Sequence, residues 1–205
     1  GDVELGASAL AGIWFLAIYM LGFGFSLGLQ VVIARRNGEQ QYAETGKTFF
    51  QGLFFLLILA VILCLLSKIF SLVLLKHLIT SDDVYNAVIR YLDWRIWGLL
   101  FSFPFLALRS FLVGITQTKA LNMAAFTAVL VNIPLNWLLI FGFDMGISGA
   151  AIASSSAEMC SLAVLAAYMF RHIDKKVYGL YWRIDITILK EVFSISVWSM
   201  LQFFT

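Results

Sequence analysis

The chain has 205 residues, 61% of them apolar and 13% charged, with a mean hydropathy of +0.92; a soluble domain carries roughly a quarter charged residues, so this composition belongs in a bilayer. With 19 Phe, 6 Trp and 7 Tyr the chain has ample apolar surface to offset the cost of ordering, which excludes disorder, and a net charge of +2 is too small for a nucleic-acid-binding face. Two Cys and two His leave no room for a disulfide framework or a zinc cluster; Cys64 and Cys160 lie in apolar runs and read as small packing residues, and no metal or organic cofactor is expected.

The first residue is Gly1, and residues 1–4 run into an apolar tract without the basic region and cleavage site of a signal peptide. A helix needs about 20 apolar residues to cross the hydrocarbon core. Residues 5–34 carry no charge between Glu4 and Arg35, and residues 48–67 none between Lys47 and Lys68. A third span, 96–115, tolerates Arg109 near its end and contains Pro104, which should bend it. Residues 120–143 are free of charge between Lys119 and Asp144, and 145–170 are interrupted by Glu158 alone. Residues 171–190 form a basic connection with Tyr178, Tyr181 and Trp182 among its charges, which suits a segment lying along the membrane surface between two bundles. Residues 191–205 begin a further helix that stops at Thr205 within an apolar tract, so the chain reads as a piece of a longer protein. Residues 1–170 thus form one lobe, and the fold class is an all-α polytopic membrane bundle. No recurring period-2 alternation points to a membrane β-barrel.

Lys and Arg set the orientation. Arg35, Arg36 and Lys47 flank the first connection, Lys119 and Arg109 the third, and Arg171, Lys175, Lys176, Arg183 and Lys190 the fifth; these are expected on the cytoplasmic side of the cell's inner membrane. The second connection mixes Lys76 and Arg90 with Asp82, Asp83 and Asp93, beside Trp94 and Trp97 at an interfacial level, and the fourth offers Asp144. Those two and the N-terminus, with Asp2 and Glu4, are expected outside.

Polar groups at bilayer depth need a partner or a task. Glu158 lies about 18 Å from the outer end of its span; a carboxylate there is costly to hold charged, which makes it a candidate proton carrier, or else a structural link between helices. On the preceding span Asn132 and Asn136 share one helical face, with Pro134 between them to kink the helix and free backbone carbonyls. Counting at 1.5 Å per residue levels Asn136 with Ser154 and Asn132 with Glu158. Asn132, Asn136, Ser154 and Glu158 are therefore the candidate cavity for a cation, a proton or a substrate, with interhelical hydrogen bonding as the structural alternative. Arg109 can snorkel to the cytoplasmic surface as an anchor, and Gln30 and Gln51 are packing or cap partners. The small-residue helix starts Leu5 to Gly12 and Ile147 to Ser154 resemble one another and suit close helix packing. No catalytic constellation or phosphate-cradling loop is present, so no enzyme is expected.

Gly22-Phe-Gly-Phe-Ser-Leu-Gly-Leu-Gln30 through Ala34-Arg-Arg-Asn-Gly38, then Gly46 and Gln51, is similar to the second helix, loop and third helix of the MATE family, the multidrug and toxic compound extrusion transporters. Asn132 and Asn136, followed by Gly146-Ile-Ser-Gly-Ala-Ala-Ile-Ala-Ser154, resemble that family's fifth helix, outer loop and sixth helix. The resemblance extends over essentially the whole chain and implies twelve helices in two six-helix lobes working by alternating access, with helices 2 to 6 and the start of helix 7 here. Helix 1, which carries an important acidic residue in bacterial members, falls outside it. Asn132 and Asn136 match the cation-binding positions of helix 5, Asn136 in the NorM-type pattern, and Ser154 matches a hydroxyl position on helix 6. The function implied is Na⁺- or H⁺-coupled export of organic cations or drugs by a monomer among membrane lipids. A lipid-linked oligosaccharide flippase of the same superfamily is the nearer alternative, disfavoured because Arg109 is the basic residue within the spans. A membrane enzyme or passive assembly subunit is the more distant one.

Overall fold

A computed structural model describes residues 2–181 and 185–204; Trp182, Arg183 and Thr205 lie outside the described residues. Every regular element among the described residues is helical: α1 (Asp2–Gly38), α2 (Tyr42–Leu78), α3 (Asp82–Arg95), a 3₁₀ turn (Ile96–Gly98), α4 (Leu99–Gly114), α5 (Lys119–Trp137), a π-helical turn (Leu138–Gly142), α6 (Gly146–His172) and α7 (Ile186–Phe204). Among the described residues, five stretches are long and apolar enough to cross a membrane: Val3–Gly38, Tyr42–Leu78, Asp82–Gly114, Lys119–Gly142 and Gly146–His172.

The helices run well past the charge-free intervals. At 37 residues each, α1 and α2 are about 55 Å long, nearly twice the hydrocarbon thickness. Beyond Lys68, α2 continues because its neighbours hold it. Trp14 Nε1 donates to Ser67 Oγ at 2.9 Å, Tyr85 Oη to the Leu72 carbonyl at 3.1 Å, and Leu75 packs in a cluster with Ala7, Ala11, Ala87, Val88, Leu92 and Ile147. The residues expected in the second connection are therefore largely helical. α3 passes through the 3₁₀ turn straight into α4, so that Arg95 enters the bundle in the middle of a continuous helical stretch.

Three tight connections turn on a residue in the left-handed region: Gln40 (φ 59°), Thr116 (φ 63°) and Asp144 (φ 51°). This conformation ends a helix and reverses the chain within a few residues, although a β-branched residue such as Thr116 adopts it only under tertiary constraint. α1 packs against α2, α3, α4 and α7, and α6 packs against α3, α4 and α5. The main core includes Phe25, Phe49, Phe103, Phe111 and Leu165, and the last turn of α1, with Arg35 and Arg36, marks the basic end of the bundle.

At that end one carboxylate joins two helices: Glu191 of α7 accepts from Arg35 at 2.6 Å and from Arg36 at 2.5 Å, and Arg36 also reaches Thr48 on α2. The connection after α6 folds back onto α2. Tyr178 packs edge-on to Tyr42 (5.5 Å between ring centres) and Phe111 (5.7 Å), and burial with Tyr42 alongside holds its phenol above the ordinary tyrosine range. A Cβ at Gly46 would overlap the Tyr178 carbonyl, and one at Gly28 would overlap the backbone of Ser196 on α7. Gly46→Ala should therefore destabilise the protein by about 1–3 kcal/mol through overpacking. Gly6→Ala, where a Cβ meets nothing within 4 Å, should leave it unchanged or slightly stabilised. Thermal unfolding of the two variants in detergent checks this: equal transition temperatures would mean that the connection does not rest on Gly46.

Candidate functional site

Between α1, α3, α4, α5 and α6 lies a cavity of about 540 Å³, lined by Phe15, Tyr19, Tyr91 and Phe105, by alanines of α5, and by Arg95, Ser102, Ser154, Glu158 and Ser161. That volume lies within the range of small-molecule sites. The local sequence explains the lining. Gly12, Ala124, Ala125 and Ala128 are small where α1 and α5 face the space, and the aromatic rings recur at helical spacing on α1, where Phe15 and Tyr19 stack with centres 6.4 Å apart.

Glu158 dominates the site's electrostatics, with Arg95 across from it. Arg95 Nη2 donates to Oε1 at 2.5 Å and Nη1 to Oε2 at 3.0 Å, a two-pronged pair. Ser102 Oγ donates to Oε2 at 2.7 Å. The guanidinium also sits 3.6 Å from the centre of the Phe15 ring, in cation–π contact with its face. Arg95 is 9% exposed and the Glu158 side chain 26%, so the pair borders the cavity with its carboxylate the more open side. Gly98 makes room for it. A Cβ there would come within 2.7 Å of Glu158 Oε2 and 2.9 Å of Ser155 Oγ, and would run into Arg95 Nη1.

The expected polar patch divides into two parts. Asn136 Nδ2 donates to Asn132 Oδ1 at 2.8 Å, and Asn132 Nδ2 reaches Ser154 Oγ at 3.5 Å, the long edge of a hydrogen bond. Ser154 and Glu158 line the same cavity, but Glu158 hydrogen-bonds toward α3 and α4 rather than toward the asparagines. Asn132 meets Ser154, one turn away from the register obtained by counting. The π turn contributes to this shift, because its wider winding after Pro134 advances less along the axis than the same number of α-helical residues. Pro104 lies inside α4, two residues beyond Ser102. Arg109 Nη1 donates to Gln30 Oε1 at 3.4 Å, while Gln51 is buried in α2.

Arg95 is the cavity-lining residue that the sequence reading passes over, and it shares the spanning stretch Asp82–Gly114 with Arg109. A signal was present. Val88, Leu92, Arg95, Ile96 and Leu99 recur at helical spacing and are all buried, a stripe that continues from α3 into α4 and carries the arginine inward with it.

A family model described as MatE matches residues 1–138. The chain is 30% identical over 188 residues to a probable multidrug resistance protein NorM of Synechocystis sp., a match covering 88% of this chain and 40% of that protein. It is 27% identical over 175 residues to the multidrug resistance protein NorM of Vibrio cholerae, covering 82% and 37% respectively. The chain thus spans about two fifths of the length of these relatives. In fold it superposes on the eukaryotic MATE transporter AtDTX14 with a TM-score of 0.85 at 23% identity, covering 98% of this chain and 45% of that one. An outward-facing MATE family multidrug resistance transporter of the MOP superfamily gives a TM-score of 0.89 at 21% identity, covering 98% and 45%. With the family model matching well over half of its length, on this all-helical bundle, the chain belongs to the MatE family of multidrug and toxic compound extrusion transporters.

Proposed function

We propose that the complete protein is a secondary active multidrug exporter, driving organic cations or drugs out of the cell against an inward flow of Na⁺ or H⁺ by alternating access. The observation that carries this reading is the aromatic-walled cavity with a carboxylate on its border, the combination that recognises amphipathic cations. The relatives' names agree with it: both NorM proteins are described as multidrug resistance proteins. Ser154 lines the same space and Asn132 and Asn136 are linked to it by hydrogen bonds, a set of neutral oxygens suited to a coupling ion, and Glu158 supplies the carboxylate. The π turn beyond Pro134 and the bend expected at Pro104 give the two helices places to flex.

The flippase reading gains nothing from Arg95. A pyrophosphate headgroup calls for net positive charge, and the charge of Arg95 is cancelled by Glu158 at 2.5 Å.

We place the first, third and fifth connections in the cytoplasm and the N-terminal end of α1 outside the inner membrane, following the basic residues. In intact cells, single cysteines at Gln41 and Lys175, both exposed, should resist an impermeant thiol reagent, and one at exposed Asp83 should react. Labelling at Lys175 from outside would reverse the orientation.

Transport itself is tested by ethidium efflux from proteoliposomes carrying the full-length protein. Asn132→Ala and Asn136→Ala should each lower ion-driven efflux by tenfold or more, about 1.4 kcal/mol, with membrane insertion intact. Glu158→Gln should abolish the response to a pH gradient. Normal efflux in all three variants would remove the coupling site from this face, and no efflux by the unmodified protein would remove the export reading.

A further inference from the structure

We propose that Arg95 is a resident competitor: its guanidinium occupies the seat that a cationic substrate takes, and a substrate binds by displacing it. The inference rests on the reading of the cavity as an organic-cation site. Such a seat needs a carboxylate to neutralise the charge and an aromatic face to take up a delocalised cation. Arg95 has both, with Glu158 gripping its two terminal nitrogens at 2.5 and 3.0 Å and Phe15 stacked 3.6 Å from its guanidinium carbon.

The surroundings are built around this arrangement. Gly98 provides clearance that any side chain would fill, and Ser102 fixes the carboxylate from the other side at 2.7 Å. The open volume begins at the pair and extends along Tyr19, Tyr91 and Phe105. A ligand that placed its cationic end in the seat would thus lay an apolar body against these rings. A ligand without a cationic end gains nothing from displacing the arginine, whereas a cation that displaces it takes over the pairing with the Glu158 carboxylate. Arg95 is in this sense a filter. It leaves the empty cavity uncharged and sets a threshold that weakly paired cations do not cross.

Competition of this kind lowers apparent affinity by the fraction of time that the seat is free. With the pair closed about 90% of the time or more, removing Arg95 tightens cation binding about tenfold or more. Ethidium fluorescence with the full-length protein in detergent measures this. Arg95→Gln should bind ethidium about tenfold more tightly or better than the unmodified protein, and adding Glu158→Gln should cancel the gain. Phenylguanidinium should displace ethidium from Arg95→Gln at concentrations that leave the unmodified protein unaffected, a rescue that a merely structural arginine would not produce. Should Arg95→Gln fail to fold, Arg95→Lys keeps the charge but cannot form the two-pronged pair and should show a smaller tightening. Unchanged or weaker ethidium binding in whichever arginine variant folds overturns the inference and leaves cation export standing if the unmodified protein transports ethidium. Absence of ethidium binding from every form removes both.

Discussion

The bidentate contact between Arg95 and Glu158 is the constraint on which the centre of this bundle depends. It ties α3 to α6, and through Ser102 and Phe15 it draws in α4 and α1. Two charges at this depth have lost much of their water, and their attraction offsets that loss only while the geometry is good and the remaining lone pairs are occupied. Both conditions hold here, since each carboxylate oxygen has an arginine nitrogen and one also has a serine hydroxyl. Losing one partner from such a pair typically costs about 3–5 kcal/mol, because the other charge is left behind. The arrangement therefore resists single replacements far more than joint ones.

Around that centre the helices approach closely because their facing residues are small. Ala7 and Ala11 of α1 meet Ala87 of α3 and Ile147 of α6 in one buried cluster, and Ala151, Ala153 and Ala157 are buried on α6. In lipid, association depends on such packing and on polar contacts between helices rather than on exclusion of water. The two similar helix starts thus meet at one buried cluster, through Ala7 and Ala11 on one side and Ile147 on the other.

Much of this was legible in the sequence. The charge-free intervals located the spanning helices, because a bilayer penalises charge more strongly than any local propensity favours it. Helix ends were less legible. α2 continues past Lys68 on contacts made by Trp14 and Tyr85, and distant residues of that kind leave no mark on local composition. Counting residues set Asn132 one turn away from its partner on α6, Ser154, because an even rise per residue cannot anticipate a π turn. Glu158 stood out as a carboxylate in an apolar run, whereas its partner did not. Arg95 follows Asp93 and Trp94 in a stretch that reads as a charged surface loop until the buried stripe through Leu92 and Ile96 is followed into the next span.

α1 runs unbroken from Asp2 to Gly38, with Phe15 under the guanidinium at one level and the two arginines held by Glu191 at another. These levels are about 20 residues, or about 30 Å, apart along one rod. Pivoted at Phe15, a tilt of about 5° moves the arginine end by about 2.6 Å over that length, comparable to an entire hydrogen-bond distance. The helix is thus a lever with one arm under the aromatic seat and the other bolted to α7, and a displacement too small to register at the cavity becomes, at the far end, enough to break or make an ionic clasp.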